Sequence, residues 1–208
     1  MELITNINIQ FYILAYLVGG IPFGLILAKK FAKCDVRNEG SGSIGATNVL
    51  RVLKESNPEL AKKLSIATLI LDALKGVVVL AIATILNLSE ETKWMIALLA
   101  VVGHCYSPYL KFEGGKGVAT GMGVMLYMLP FETLLAASVW AIAAKTIKIS
   151  SISSLLALFT LIASSFIIHP ELPVIKTHAP VLIISFIILY KHLPNIMRLI
   201  SGKESKVI

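Results

Sequence analysis

Apolar runs alternate along this chain with short polar connections, and helix-breaking residues mark where the runs divide. Crossing a bilayer takes about 20 apolar residues at about 1.5 Å each. The run 7–28 meets that length, and Gly19, Gly20 and Pro22 inside it predict a kink. The run 64–86 meets it too and carries Asp72 and Lys75 in its interior. The run 94–110 is shorter. Two brief runs, 118–129 and 131–144, are split by Pro130 and read either as one long kinked span or as a hairpin. The runs 152–168 and 172–190, separated by His169 and Pro170, complete the pattern, and no long internal repeat is visible. The periodicity and run lengths predict an all-α, polytopic membrane protein forming one domain over 1–208.

Composition agrees with that class. At 56% hydrophobic and 15% charged residues, with mean hydropathy +0.82, the chain is too apolar for an ordinary soluble domain. No basic segment precedes the first run and no small-residue cleavage site closes it, so that run is expected to remain as a span. Two cysteines, Cys34 and Cys105, argue against a disulfide framework and read as small buried or membrane-edge hydrophobes.

Charge changes the picture at Pro130. Cytoplasmic connections carry an excess of Lys and Arg. If Pro130 is a true turn, sixteen basic residues collect on one side, from Lys29, Lys30, Lys33 and Arg37 to Lys203 and Lys206. The other side has Lys93 and Lys176, and Lys75 lies within a span, which accounts for the nineteen in the chain. One long helix would put Lys145, Lys148 and the C-terminal cluster on the wrong sides. About seven transmembrane helices follow, with the N-terminus outside and the C-terminus cytoplasmic. This topology brings four polar segments to the inner face: 40–51, 103–120, the serines at 150–154 and 190–199.

Two of these segments are glycine-rich. Gly114-Gly115-Lys116-Gly117 lets backbone approach a ligand and can aim N–H groups at it. Thr47, Asn48 and the residues after Gly117 lie near helix starts, where the dipole favours anions. Arg51, Lys116 and Arg198 supply positive charge, Arg in a form that grips phosphate bidentately. The loop is not a Walker A motif: Leu110 stands where the first Gly belongs, and Gly117 where Ser or Thr would bind magnesium. Simple phosphate groups are the expected ligands. Lys29, Lys30, Lys33, Lys62 and Lys63 read as topology determinants facing anionic headgroups. His192, Asn195 and Arg198 share a helix face at one-turn spacing. His104 is either a helix-end hydrogen-bonding residue or a functional one. Asp72 and Lys75 read as a mutually neutralised structural pair, and His169 and His178 fall on the outer side as incidental residues.

The pattern Gly-Ser-Gly-x-x-Gly-Ala-Thr-Asn-x-x-Arg at 40–51, with Gly103-His104 followed by Phe112-x-Gly-Gly-Lys-Gly-Val-Ala-Thr, resembles the bacterial acyl-phosphate-dependent glycerol-3-phosphate acyltransferases, the PlsY family. Ser150 and Ser153 match that family's pair of serines three apart, although Ser151 and Ser154 fit the same spacing. His192, Asn195, Ile196, Arg198, Leu199, Gly202 and Glu204 match its C-terminal signature, and Asp72, Lys75 and Gly76 are also familiar. The resemblance covers nearly the whole chain. Ser43 stands where the family usually has Asn, and Ser107 replaces a common proline.

The resemblance implies a reaction: acyl transfer from a fatty acyl phosphate to the sn-1 hydroxyl of glycerol 3-phosphate. The products are lysophosphatidic acid and inorganic phosphate, in the first acylation of phospholipid synthesis at the bacterial cytoplasmic (inner) membrane. Lys116, Arg51, His192, Asn195 and Ser150 are then the expected catalytic residues. Ser41, Thr47, Asn48, Gly114, Gly115, Gly117, Ser153 and Arg198 are the expected binding residues. No His-x-x-x-x-Asp dyad of the acyl-CoA-type glycerolipid acyltransferases occurs: the four histidines are followed five positions later by Tyr109, Val174, Ile183 and Met197. Direct displacement is expected, with His192 or a substrate phosphate taking the proton, rather than an acyl-enzyme on Ser150 or Cys105. Glu39 and Glu113 stand alone, so neither a metal nor another cofactor is expected. The partners expected are the two substrates and the bilayer, with no nucleic acid and no obligate protein partner. A transporter of a small phosphorylated solute is the rival, but it would place its polar groups at the midplane. A lipid phosphatase would need more than His192 alone.

Overall fold

The computed structural model describes residues 5–206, and every regular element among them is helical. The first apolar run is α1 (Ile7–Gly20) and α2 (Phe23–Leu27), the latter running into a π-turn at Ala28–Ala32. Pro22 separates the two, and the chain bends there by 41°. A short amphipathic helix, α3 (Ala46–Leu53), follows a polar loop. The next helix, α4 (Pro58–Ile85), begins before its apolar run because Asn57 caps it, accepting from the Leu60 N–H, and Pro58 suits its first turn. Ser89 caps α5 (Glu90–Cys105), which ends before a 3₁₀ turn at Pro108–Leu110. Leu129 leaves helical geometry ahead of Pro130 and so divides α6 (Val118–Met128) from α7 (Pro130–Ile147). The chain closes with α8 (Ser150–Ile168), α9 (Ala179–Lys191) and α10 (Leu193–Ile200).

Two expected boundaries are wrong: the run 94–110 is helical only to Cys105, and the second error is larger. The apolar run 172–190 is helical only from Ala179. Pro173 interrupts the run, Val174 and Lys176 take positive φ, and Pro180 sits in the first turn of α9. Leu172 is apolar because it is fully buried in this turn, not because it faces lipid.

Helix α4 is the central element, packed against α1, α3, α5 and α6, while α7 lies along α8 and α9 bridges α5 and α8. Its two faces explain its sequence. Ile66, Ile70, Leu74, Val78, Ile82 and Ile85 recur every three or four residues and are exposed. Thr68, Asp72, Lys75, Gly76, Val79 and Ala83 are buried on the other side. Apolar side chains outward and ionisable ones inward is the pattern of a helix solvated by lipid. Close approach of α1 and α5 depends on glycine: a Cβ at Gly19 would strike the Ala100 carbonyl, and one at Gly103 would strike that of Tyr16. By length and hydropathy α4 and α8 can each cross a membrane alone. Two bent pairs, 7–20 with 23–32 and 179–191 with 193–200, do so when taken together.

Candidate functional site

The polar segments converge on one cleft of about 160 Å³. Its floor and walls come from the loop before α3, the glycine loop before α6, the start of α8 and the α9–α10 junction, with Asp72 and His104 at the back.

Asn48 builds the first wall. Its amide nitrogen donates to the carbonyls of Val36 (2.8 Å), Ser43 (2.8 Å) and Glu39 (3.2 Å), and its Oδ1 accepts from the N–H and the hydroxyl of Ser41. The residue is 2% exposed. Its polar atoms are therefore spent on folding the loop that presents Ser41, not on a free donor. Ser43 accepts from the Gly45 N–H in the same loop. Thr47 and Ser150 lie 3.1 Å apart, oxygen to oxygen, and join this wall to α8.

On α8 helix phase decides which serines face the cleft. Ser150, Ser151 and Ser154 line the cleft, whereas Ser153 turns back onto the Ile149 carbonyl and contributes nothing to the lining. Trp140 on α7 donates its Nε1–H to Ser154 and forms the far lip.

The glycine loop packs on the end of α5. Gly115 donates its N–H to the His104 carbonyl at 3.0 Å, and a Cβ at Gly114 or Gly115 would run into His104. Gly117 has φ +83° and starts α6. None of the three glycines lines the cleft; they shape the turn that puts Lys116 into it.

Arg51 and Lys116 both point into this space and have no hydrogen bond or ion pair with any described residue. Burial is the main cause that draws the Lys116 ammonium down to about 8; Glu204 opposes it, and Arg198 and Arg51 add to it. Burial also lowers Arg51, with Glu204 acting in the other direction.

His192 sits at the α9–α10 junction, where the axis bends by 52°, and is 1% exposed. Its Nδ1–H donates to the Ile188 carbonyl at 2.8 Å. A carbonyl can only accept, so the neutral ring keeps its bare lone pair on Nε2, available as a base. One turn on, Asn195 donates to Glu204 Oε1 at 2.6 Å and has a buried Oδ1 without a hydrogen-bond partner among the described residues. Arg198 donates from Nε to Glu204 Oε2 at 2.7 Å.

Glu204 was not among the expected site residues, although it stands in the C-terminal signature. The chain turns back at Gly202 (φ +67°) and places this carboxylate against Ser151, Asn195 and Arg198. Burial raises its pKa, but the hydrogen bonds from Asn195, Arg198 and Ser151 outweigh that and hold it below the usual carboxylate range. Among the described residues no three of His, Cys, Asp and Glu gather as a cation cage.

A second, almost wholly apolar cavity opens from the cleft. Val118, Met122, Trp140 and Ser154 border both, and it continues between α6, α7, α8 and α9 to Met125, Thr133 and Leu161. From Ser154 to Leu161 the groove follows α8 for about 10 Å.

Residues 9–202 match the family model described as glycerol-3-phosphate acyltransferase. Curated proteins named glycerol-3-phosphate acyltransferase from Sulfurimonas denitrificans and Wolinella succinogenes are 64% and 59% identical over 208 residues, each match covering 100% of both chains. The fold is similar to two crystal structures of PlsY (YgiH), an integral membrane glycerol 3-phosphate acyltransferase. The glycerol 3-phosphate form has TM-score 0.83 and 33% identity, covering 97% of this chain and 96% of that one. The lysophosphatidic acid form has TM-score 0.79 and 32% identity, covering 97% and 95%. This chain belongs to the glycerol-3-phosphate acyltransferase family.

Proposed function

We propose that this integral-membrane enzyme acylates glycerol 3-phosphate at its sn-1 hydroxyl with the acyl group of a fatty acyl phosphate, releasing lysophosphatidic acid and inorganic phosphate for phospholipid synthesis. The observation that carries the reading is the cleft itself. Two half-buried cations, Arg51 and Lys116, without ion-pair partners among the described residues, face a space that borders an apolar groove. Unpaired charge at this depth is costly, and a phosphate is the counter-ion that offsets the cost. A groove running about 10 Å between helices takes the acyl tail.

In the reaction, the sn-1 oxygen forms a bond to the acyl carbon, and the bond from that carbon to the phosphate oxygen breaks. The phosphate leaves with the electron pair. The hydroxyl proton goes to His192 Nε2 or to a substrate phosphate oxygen. Arg51 and Lys116 stabilise charge on the leaving phosphate, each donor of this kind being worth roughly 3 kcal/mol. Ser41, Thr47, Ser150 and Asn195 orient the phosphates, Asn48 and the three glycines hold the loops, and Arg198 braces the last helix through Glu204. Ser153 serves α8 itself. No protein partner, metal or other cofactor enters this scheme.

The chain acts as one domain with seven membrane crossings, its N-terminus outside and its cleft opening on the cytoplasmic face of the inner membrane. The placement of sixteen of nineteen Lys and Arg on one side supports that orientation. Purified Arg51→Ala protein, shown folded by an unchanged melting temperature, is expected to form lysophosphatidic acid at least ~100-fold more slowly than wild type. Turnover within twofold of wild type would sink the assignment.

A further inference from the structure

Behind the cleft, Lys75 Nζ has three neighbours: Asp72 Oδ1 at 2.9 Å, the Ile21 carbonyl at 3.1 Å and His104 Nδ1 at 2.8 Å. All three side chains are buried. An ammonium has three N–H bonds and no lone pair. Two of these neighbours can only accept, and the third is a ring nitrogen. A charged Lys75 satisfies every contact at once, and it does so only if His104 Nδ1 accepts. A neutral amine would leave Asp72 as an unpaired buried carboxylate. The ring proton of neutral His104 is therefore on Nε2. That nitrogen has no partner among the described residues; it lies against Gly115, in the turn that carries Lys116, and His104 lines the cleft. The His104 carbonyl holds the same turn through the Gly115 N–H.

We infer that His104 presents its Nε2–H as a hydrogen-bond donor to a substrate phosphate, and that Lys75 and Asp72 act as positioning residues by fixing the tautomer that makes it a donor. The pair in α4 is thus more than a neutralised structural bridge. It resembles in logic a metal-bound histidine whose second nitrogen is set by an outer partner, with an ammonium where the metal would be. Two histidines with opposite tautomers face one cleft: His104 donates, and His192, tied down at Nδ1, offers a lone pair.

The inference rests on the acyltransferase reading, and its test separates the two. Steady-state kinetics with palmitoyl phosphate and glycerol 3-phosphate are compared for wild type, His104→Leu and His104→Gln. The Gln amide puts an N–H near the Nε2 position, so His104→Gln is expected to keep turnover within about tenfold, while His104→Leu loses about 100-fold or more in kcat. The paired change Asp72→Asn with Lys75→Met removes the lock without leaving a buried charge. It is expected to lower kcat severalfold in wild type but less than about twofold in the His104→Gln background, because an amide has no tautomer to lose. A purely structural role would give the same loss in both backgrounds. The ¹⁵N spectrum of histidine-labelled wild type is expected to show one ring protonated at Nε2 and bare at Nδ1 that is absent from His104→Gln. Wild-type kcat in His104→Leu, or a proton on Nδ1 of this ring, would overturn the inference. A folded wild type without turnover would instead overturn the acyltransferase reading beneath it.

Discussion

If the Lys116 ammonium grips a substrate phosphate, kcat/KM must fall as the pH rises through about 8, far below the ordinary lysine value. In this cleft burial draws Lys116 down to about 8, so keeping it charged there costs roughly 3 kcal/mol relative to water, an amount a bound phosphate can offset. The sign follows from the direction of the shift: the charged form dominates below about 8 and is lost above it. A single titration at that value leaves about nine-tenths charged near pH 7 and about one-tenth near pH 9. Glycerol 3-phosphate does not confuse the profile, since the second ionisation of a phosphate monoester, near about 6, is complete over this range. The assay is initial-rate lysophosphatidic acid formation at subsaturating glycerol 3-phosphate, whose kcat/KM reports the free enzyme. A fall of about tenfold from pH 7 to 9 is expected. In kcat the limb should move to higher pH, because bound phosphate stabilises the ammonium. Lys116→Arg should lose the limb altogether, since guanidinium stays charged. A flat wild-type profile to pH 9, or an unchanged limb in Lys116→Arg, would refute the reasoning.

Glu204 faces the same cation and raises its pKa, so Glu204→Gln should move the alkaline limb to lower pH, measured in the same profile; an upward move would contradict the contact. Ala157 and Leu161 border the apolar groove, so Ala157→Phe should cost activity with long acyl phosphates more than with short ones, read as a ratio of kcat/KM across chain lengths. Away from the cleft, Glu132 is fully buried, and among the described residues its carboxylate has no hydrogen bond and one ion-pair contact, His169 Nε2 at 3.1 Å. His169→Ala should therefore destabilise by about 1–3 kcal/mol, seen as a lower melting temperature with unchanged kcat, because neither residue touches the cleft.

Breaks in the fold were legible wherever a single residue causes them. Pro22 and Pro130 act through their own rings, and the bend and the division fall where they stand, whereas the helix start at Pro58, six residues before the apolar run, was not read. The turn at 172–178 was not, because buried Leu172 and lipid-facing residues look alike in composition; only the backbone at Val174 and Lys176 separates them. In the cleft, Arg51, Lys116, His192 and Asn195 could be named because their motifs bring charge where lipid would reject it. Ser150 and Ser151 were ambiguous because each begins a pair three apart, and the phase of α8 is fixed by packing rather than by spacing. Glu204 was overlooked for an electrostatic reason: a carboxylate is the last group expected among cations that bind anions, until its own donors are seen. His104 was undecidable from local sequence, since its tautomer depends on Lys75, 29 residues away, and on the Ile21 carbonyl.

The most direct test of the central claim is product stoichiometry in purified, detergent-solubilised protein given glycerol 3-phosphate and palmitoyl phosphate, with palmitoyl-CoA as the comparison donor. The account predicts phosphate release that requires both substrates, lysophosphatidic acid in equal amount, and no turnover with the thioester. Equal use of palmitoyl-CoA, or phosphate release without glycerol 3-phosphate, would contradict it.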